Sequence, residues 1–421
     1  MAVKTGAALW LGGTAALAAA LAAPALSAQA ATRDARVFDA ATAARPAQLD
    51  LLKQVVDIDS GTGDAEGAAR VEAILIPRLQ ALGATVRKAP AEAPGLGDNV
   101  VATLDGTGKG RILMIGHIDT VFPAGTVKTW SFHDDGLKAY GPGVSDEKGG
   151  VVEGVTALTL LHDLKIADFG RITLLIETSE ETGSPGTRKL IDSLVRQNDV
   201  ELNLEPGDAP DAVTVWRKGS TTFSITVHGR AAHAGVAPQD GRNAAVELMH
   251  QLAVVDTMPH SGDGLTANVT VLKAGERNNI IPDLAVGLVN VRVRSPDQLK
   301  TVQDALEAQA KTTVVPDTKV EVSATPAFPP LPNNPATDAL AARAKAIYAG
   351  LARPLETAGN GGASESALAH AAGTPALDGL GPVGGGFHST REYLDLHSLT
   401  PRLYLLTELL IQLGHTPPAK P

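Results

Sequence analysis

The chain has 421 residues, more than one domain usually contains, which favours two domains. Hydrophobic residues make up 44% of the sequence but aromatic residues only 3%, so aliphatic side chains must fill the core. The formal net charge of −10, with no basic cluster, argues against a nucleic acid as partner, and the lack of cysteine excludes disulfide bonds.

The first thirty residues are typical of an export signal. A lysine within residues 1–4 precedes a stretch from 6 to 26 that is nearly all Ala, Leu and Gly, and Ala28-Gln29-Ala30 fits a cleavage site between small residues. This pattern predicts a signal peptide over residues 1–30 and a periplasmic or secreted mature chain without stable membrane association. The alternative is an uncleaved membrane anchor, which the weak hydrophobicity of Ala and Gly disfavours.

Residues 31–216 alternate between helical and strand-like patterns. Apolar residues recur at helical spacing in some segments, and short apolar runs that resemble buried strands lie between them. This alternation predicts an α/β structure built on a largely parallel sheet. The predicted helices are 48–56, 65–82, 149–164 and 187–197, and the predicted strands are 99–104, 112–115 and 172–176.

The pattern changes after Trp216. Residues 217–326 combine strands of alternating polarity with two helices, which predicts a smaller inserted α+β domain, and the proline-rich segment 326–335 reads as the linker back. The first domain would then consist of residues 31–216 and 327–421. The predicted strands of the insertion are 221–228, 266–272 and 284–293, its helices are 244–255 and 298–312, and the later helices are 338–349, 363–371 and 400–413.

Polar side chains follow the predicted strands of the first region where each strand ends. His117 and Asp119 come after one strand, Glu180 and Glu181 after another, and Glu205 after a further short apolar run. Because ligands collect at the carboxyl ends of parallel strands, one site could gather these side chains. Taken singly, each also fits a structural hydrogen-bonded pair or a solvated acidic turn.

Two further candidates lie in glycine-rich segments. Asp146 follows Gly141-Pro142-Gly143, and His388 follows the glycine run 384–386, where a crowded backbone is expected. A helix-capping aspartate and a structural histidine are the alternatives. Two imidazoles and three carboxylates suit zinc, or cobalt in its place, and the set is His117, Asp146, Glu181, Glu205 and His388.

Together these segments resemble the di-zinc metallopeptidase family that includes glutamate carboxypeptidases of the carboxypeptidase G type, aminoacylases and succinyl-diaminopimelate desuccinylase. The resemblance spans about residues 45–415, and separate motifs occur in the family's order. The motifs are Gly-His-Ile-Asp-Thr-Val, Gly-Pro-Gly-Val-Ser-Asp-Glu-Lys-Gly-Gly, Glu-Thr-Ser-Glu-Glu-Thr-Gly-Ser, Glu-Pro at 205–206, Ala-Ala-His-Ala-Gly and Gly-Phe-His-Ser.

The resemblance implies two zinc ions per chain, which cobalt can replace, with Asp146 bridging them. His117 and Glu205 would complete one set of ligands, and Glu181 and His388 the other. Asp119 would orient His117. Glu180 would be the general base that takes the proton from the attacking water and later delivers it to the leaving amine.

The resemblance also implies that the inserted domain serves as a dimerisation domain and a lid. In the resulting homodimer, His233 would reach the active site of the other subunit and steady the oxyanion. Substrate contacts would come from Asn279, Arg292, Gly361 and Gly362.

Two departures from the family pattern weaken the expectation that glutamate is the residue released. Glu365 stands where an aspartate is frequent, and Ser323-Ala324-Thr325 stand where some glutamate-releasing relatives have an arginine. Neither departure touches the predicted metal ligands.

The sequence therefore predicts an exported zinc-dependent hydrolase that cleaves an amide bond. Its expected activity is the release of a C-terminal amino acid, possibly glutamate, from a small peptide or an N-acyl conjugate. The alternatives are an N-acyl amino acid deacylase, a dipeptidase or, in a different class, a catalytically silent metal-containing binding protein. The intact Glu180 and Asp119 disfavour the last of these, since binding alone needs neither.

Overall fold

A computed structural model describes Ala2 and residues 32–419, so the rest of the predicted signal peptide and its cleavage site lie outside the described residues. In the described part, no helix is long and apolar enough to span a membrane. The helices of this part are α1 Ala35–Val56, α2 Ala65–Ala81, α3 Lys148–Asp163, α4 Arg188–Gln197, α5 Ala244–Leu252, α6 Pro296–Gln309, α7 Pro335–Ala349, α8 Ser366–Ala371 and α9 Leu399–His415.

The strands of the described part form a six-stranded central sheet, a four-stranded sheet of long strands, a five-stranded sheet of short strands and two strand pairs. The six-stranded and four-stranded sheets are called the two large sheets below. Their bounds are β1 Thr85–Ala89, β2 Asn99–Asp105, β3 Arg111–His117, β4 His133–Asp134, β5 Lys138–Tyr140, β6 Arg171–Glu177, β7 Val200–Asn203, β8 Pro206–Gly207, β9 Ala212–Arg217, β10 Gly219–His228, β11 Ala232–His233, β12 Thr266–Ala274, β13 Ile280–Ile281, β14 Leu284–Val293, β15 Lys319–Phe328, β16 Glu356–Asn360, β17 Ala376–Leu377, β18 Gly381–Gly385 and β19 Tyr393–Asp395.

The central sheet has the order β1-β2-β6-β3-β7-β17. Strand β3 pairs in parallel with β6 and β7, and β7 pairs in parallel with β17, whereas β1 and β2 are antiparallel. Helices α1, α3 and α9 pack together on one face, and α4 and α8 cover the other. This architecture confirms the predicted α/β fold.

The apolar run of β3 is continuous because the strand is buried on both faces. Ile112 and Met114 point into the core beneath α3 and α9, whereas Leu113 and Ile115 join the core beneath α4. Burial on both sides fixes the strand firmly and leaves only its carboxyl end open for polar side chains.

The second large sheet is antiparallel, with the order β12-β14-β10-β15. Along β10, Phe223, Ile225 and Val227 face a separate core under α5 and α6, while Thr222 and the other alternate residues are partly exposed. One covered face explains the alternating pattern in the sequence. The sheet spans residues 219–328, and the boundary of an inserted domain at 217–326 stays a prediction.

The proline-rich segment is more ordered than a linker. Strand β15, which the sequence patterns did not indicate, contains Pro326, and α7 begins at Pro335 rather than three residues later. An edge strand tolerates a proline because the missing N–H can be one that would face away from the neighbouring strand. The first helical position tolerates one because its N–H has no acceptor within the helix.

Several predicted helix bounds also differ from the structure, and the largest difference is in α1. Helix α1 begins at Ala35, thirteen residues before the predicted start, because the Asp34 side chain caps it by accepting N–H bonds from Arg36 and Val37. Helix α5 ends at Leu252, and a short 3-10 turn follows it.

Candidate metal centre

Three parallel strands deliver polar residues to one edge of the central sheet. His117 is the last residue of β3, and Glu180 and Glu181 begin a single 3-10 turn after β6. Glu205 follows β7 by two residues. Strands β6, β3 and β7 are neighbours, so their carboxyl ends bring these side chains together, as the sequence patterns indicate.

Two loops complete the cluster. Asp146 lies just before α3, and His388 lies between β18 and β19 with a positive φ of 58°. A Cβ atom at Gly384 would overlap Ser145 Oγ. Glycine is therefore required where these two loops meet, which is the crowding expected for the glycine run.

Asp146 lies between the two histidines. Its Oδ1 is 3.3 Å from His117 Nε2, and its Oδ2 is 3.4 Å from His388 Nε2. Glu205 Oε1 lies 3.5 Å from His117 Nε2, and Glu181 Oε2 lies 3.1 Å from His388 Nε2. The five predicted ligands thus form two groups that share Asp146.

The histidine geometry suits a cation. His117 Nδ1 lies 3.0 Å from the backbone carbonyl of Asp119, so Nδ1 donates its proton there and Nε2 carries the lone pair. That Nε2 atom is buried and has no hydrogen-bond partner among the described residues. A buried imidazole nitrogen facing carboxylate oxygens is a ligand arrangement that zinc favours. The residues therefore fit two divalent ions.

Acidic groups crowd this edge of the sheet. Burial, reinforced by the charges of Glu365, Glu205 and Glu181, raises the pKa of Glu180 well above its ordinary value. Burial also raises the pKa of Glu205 to about 7. Hydrogen bonds with Asp146 and Glu181 raise the pKa of His388 to about 10. Burial is the larger cause for the two glutamates and the neighbouring carboxylates are the cause for His388, and bound cations would stabilise the charged carboxylates.

Asp119 positions the base more than it positions the histidine. Its carboxylate accepts N–H bonds from Glu180 at 3.1 Å and Glu181 at 3.3 Å, and a hydroxyl bond from Thr62 at 2.6 Å. The same carboxylate lies 3.4 Å from His117 Nδ1. The contact that fixes the histidine tautomer comes from the Asp119 carbonyl instead.

The comparisons with known proteins identify the family. The model of peptidase family M20/M25/M40 matches residues 113–412, which is more than half of the chain. The chain belongs to this peptidase family. It is 35% identical to carboxypeptidase G2 of Pseudomonas sp. (strain RS-16) over 386 residues, which cover 91% of this chain and 93% of the relative. The predicted family membership is confirmed, and the chain is a metallopeptidase-type hydrolase.

Solved structures of the M20 family share the fold. A tripeptidase from Staphylococcus aureus superposes with a TM-score of 0.73 at 23% identity and covers 88% of this chain and 99% of its own. A dinuclear metal binding peptidase of the M20 family from Bacillus subtilis gives a TM-score of 0.60 at 16% identity, with 89% and 99% covered.

Sequence reasoning missed two charged residues of this M20 centre. Glu147 is fully buried, accepts the backbone N–H of His117, and has Oε2 3.5 Å from His117 Nε2. Arg217 pairs with Glu205 at 3.1 Å and grips Asp378 through two bonds of 2.6 and 2.7 Å. Adjacency to Asp146 was a signal for Glu147, whereas nothing in the local sequence marks Arg217.

A cavity of about 500 Å³ opens beside the metal centre. Arg292 and Gly362 line the cavity. Gly361 does not line it, but its carbonyl accepts a hydrogen bond of 3.4 Å from Arg292 Nη1. Glu365 lies behind the site, fully buried, and accepts hydrogen bonds from Ser184 and Asn203. Its place is structural, so the departure at Glu365 does not alter the cavity wall.

His233 and Asn279 lie apart from this cavity in the single chain. Both are exposed, and the Asn279 carbonyl accepts the backbone N–H of Ala234. His233 Nδ1 accepts N–H bonds from Gly235 and Val236, each at 3.1 Å. Nδ1 is therefore the acceptor of this ring, which leaves Nε2 as its donor atom.

Proposed function

We propose that the mature chain is an exported zinc metallocarboxypeptidase that hydrolyses the amide bond before a C-terminal amino acid. The observation that carries this proposal is the position of Asp146 between His117, beside Glu205, and His388, beside Glu181, with Glu180 and Arg292 lining the same cavity. Similarity to carboxypeptidase G2 along nearly the whole chain supports the reaction class. The substrate would be a small peptide or an N-acyl amino acid.

The chain offers ligands for two zinc ions. His117, Asp146 and Glu205 would hold one, and Asp146, Glu181 and His388 the other. Bound zinc would polarise the carbonyl of the scissile amide and would lower the pKa of a water molecule towards neutrality.

Glu180 has the surroundings that a general base needs. Its backbone N–H donates to Asp119 Oδ1, which fixes the main chain at this position. Its carboxylate lines the cavity, and the Oε2 atom lies 3.8 Å from His117 Nε2. Burial raises its pKa, which brings the base closer to the working pH. Glu180 takes a proton as water adds its hydroxyl to the carbonyl carbon. The C–N bond then breaks, and the proton passes to the leaving amine.

Arg292 would recognise the free carboxylate of the substrate. It lies on β14, lines the cavity, and orients its guanidinium by donating to Asn290 Oδ1 at 3.1 Å. A planar guanidinium can bind a carboxylate through two parallel hydrogen bonds. A free C-terminal carboxylate is what distinguishes the substrates of a carboxypeptidase from internal peptide segments.

We further propose a homodimer. Strand β12 lies at the edge of its sheet, and this strand and the adjacent α5 expose Val269, Leu272, Val246 and Met249, of which Met249 is 58% exposed. An exposed apolar edge strand is a surface that a second copy can cover. The Nε2–H of His233 would then be available as an oxyanion donor to the partner's site.

Hydrolysis assays with residues 31–421 test the enzyme proposal. Dipeptides and N-acyl amino acids would be incubated with the purified protein, after chelation, and after zinc return, with products identified by mass spectrometry. Chelator-sensitive release of a C-terminal amino acid supports the proposal. No turnover despite two bound ions per chain would favour the binding-protein alternative.

A mixing experiment tests the dimer. In proven heterodimers of His233→Ala and Glu180→Ala subunits, one site retains both residues if His233 acts across the interface, so partial activity is expected. Sedimentation would establish the heterodimer first. Heterodimers as inactive as the parents would contradict the role of His233 in the partner's site.

A further inference from the structure

The cavity wall carries a charge pattern that selects the residue to be released. We infer that the C-terminal residue of the substrate does not carry an acidic side chain, so that glutamate and aspartate are disfavoured. This inference rests on the proposed function and adds the side-chain class.

Two arginines line the cavity among the described residues, but only one has a guanidinium free to bind substrate. Arg217 is 4% exposed, and it forms ion pairs with Asp378 at 2.6 Å and Glu205 at 3.1 Å. Its Nη1 lies 3.4 Å from Asn360 Oδ1. Its positive charge is therefore already neutralised by groups of the protein.

Arg292 is the remaining guanidinium on this wall. Its contacts are with the neutral oxygens of Asn290 and Gly361, at 3.1 and 3.4 Å. Burial lowers its pKa, an effect that the charge of Glu180 only partly opposes. A desolvated guanidinium without a carboxylate partner favours one bound anion strongly. The α-carboxylate, which every substrate of a carboxypeptidase carries, satisfies it.

Apart from the predicted metal ligand His388, a second carboxylate on the substrate would find no further cation among the described residues that line the cavity. Lys218 lies close enough to Arg292 for their charges to interact, but its Nζ donates to the carbonyl of Gly262 and it does not line the cavity. Asp208 lines the cavity and adds negative charge. A side-chain carboxylate would therefore be partly desolvated beside like charges, which is unfavourable.

The metal ions would not compensate for a second carboxylate. Two divalent ions bring four positive charges, whereas five protein carboxylates lie around them: Asp146, Glu147, Glu180, Glu181 and Glu205. With the charge of Arg217, which pairs with Glu205, the two ions would just balance these carboxylates and leave no excess positive charge. An acidic side chain gains nothing from its proximity.

The rest of the wall offers uncharged hydrogen-bonding groups. Ser220 and Thr222 on β10 and Asn290 on β14 line the cavity, and Ala327 and Phe328 at the end of β15 add apolar surface. In the pairing of these strands, Thr222 lies opposite Asn290, and Ser220 lies opposite Arg292. Hydroxyl and amide groups beside the carboxylate-binding arginine suit a neutral polar side chain.

Matched substrates test the selection directly. N-benzoyl-glutamine against N-benzoyl-glutamate, and the asparagine and aspartate pair, differ by one charge at nearly constant shape. With the zinc-loaded enzyme, we expect kcat/KM to favour the amide member of each pair on the order of 10²-fold, because a like-charge contact costs several kcal/mol. Equal or faster hydrolysis of the acidic members would overturn this inference and leave the proposed function standing. If none of these compounds is hydrolysed, this inference and the proposed function are both contradicted.

A charge-adding variant gives a second, independent readout. Thr222→Lys places a cation on the wall, and Thr222→Met controls for side-chain volume. The ratio of kcat/KM for the glutamate substrate to that for the glutamine substrate should rise about tenfold in the Lys variant relative to the Met variant, through an attraction on the order of one ion pair. An unchanged ratio in a folded, zinc-loaded Thr222→Lys protein would contradict the charge argument.

Discussion

The two large sheets contribute unlike walls to one cavity. The edge of the central sheet presents buried ionisable groups, such as Glu180 and Glu205, that would bind cations and move protons. The second sheet presents hydroxyl and amide groups and a single unpaired guanidinium, that of Arg292. The difference indicates a division of labour: changes in the first wall should alter the chemical step, and changes in the second should alter which substrate is bound.

Metal removal should have the largest effect. With both zinc ions chelated, we expect activity to vanish and the thermal unfolding midpoint to fall, because buried carboxylates then repel each other without compensation. Each ion present at about 1,000 times its Kd stabilises the fold by roughly 4 kcal/mol. Calorimetry and activity assays before and after zinc return measure both. An unchanged unfolding midpoint would contradict the proposed metal centre.

Glu180→Gln should have the next largest effect and should be confined to the chemical step. Loss of a general base lowers kcat by about 10²–10⁴-fold. The variant keeps the side-chain shape, so metal content should remain two ions per chain. Glu181→Gln is the matched control in the adjacent position, and it should lose one ion as well as activity. Normal turnover by a zinc-loaded Glu180→Gln enzyme would refute the mechanism.

Most of this centre could be anticipated because its residues follow strand ends. His117, Glu180 and Glu205 come within a few residues of the end of an apolar run, and the carboxyl ends of neighbouring parallel strands lie at the same edge of the sheet. Glycine runs likewise indicate where loops approach closely, as at Gly384. These signals lie in the local sequence, so they can be recognised without knowledge of the tertiary structure.

Long-range partners carry no such signal. Arg217 meets Asp378, which is 161 positions away, and nothing near either residue indicates the pair. Strand β15 was not predicted from the sequence for a related reason. It is an edge strand with proline and short side chains, and its pairing with β10 decides its conformation more than its own residues do. The sequence patterns therefore predict which side chains meet at this edge of the sheet better than they predict the residues that support them.

Arg217 offers a test just before the second large sheet, because it is the last residue of β9 and β10 begins two residues later. Arg217→Met would leave Asp378 and Glu205 buried without their cation, which should cost roughly 3–5 kcal/mol of unfolding free energy. Arg171→Met is the matched control, because its pair with Asp105 is exposed and is worth at most about 1 kcal/mol. Denaturant unfolding of the zinc-loaded proteins gives both values. Equal losses would mean that the buried network contributes no more than a surface pair.

Arg292 tests the second wall, and its effect should be the smallest and of a different kind. Arg292→Lys keeps the positive charge but loses the planar fork that binds a carboxylate through two bonds. We expect KM to rise about tenfold or somewhat more, the value of one charged hydrogen bond, while kcat changes little. Arg292→Met, which also removes the charge, should raise KM further. Steady-state kinetics on an N-acyl amino acid separates the two parameters. A fall in kcat at constant KM would place Arg292 in the chemical step and would end the division between the two walls.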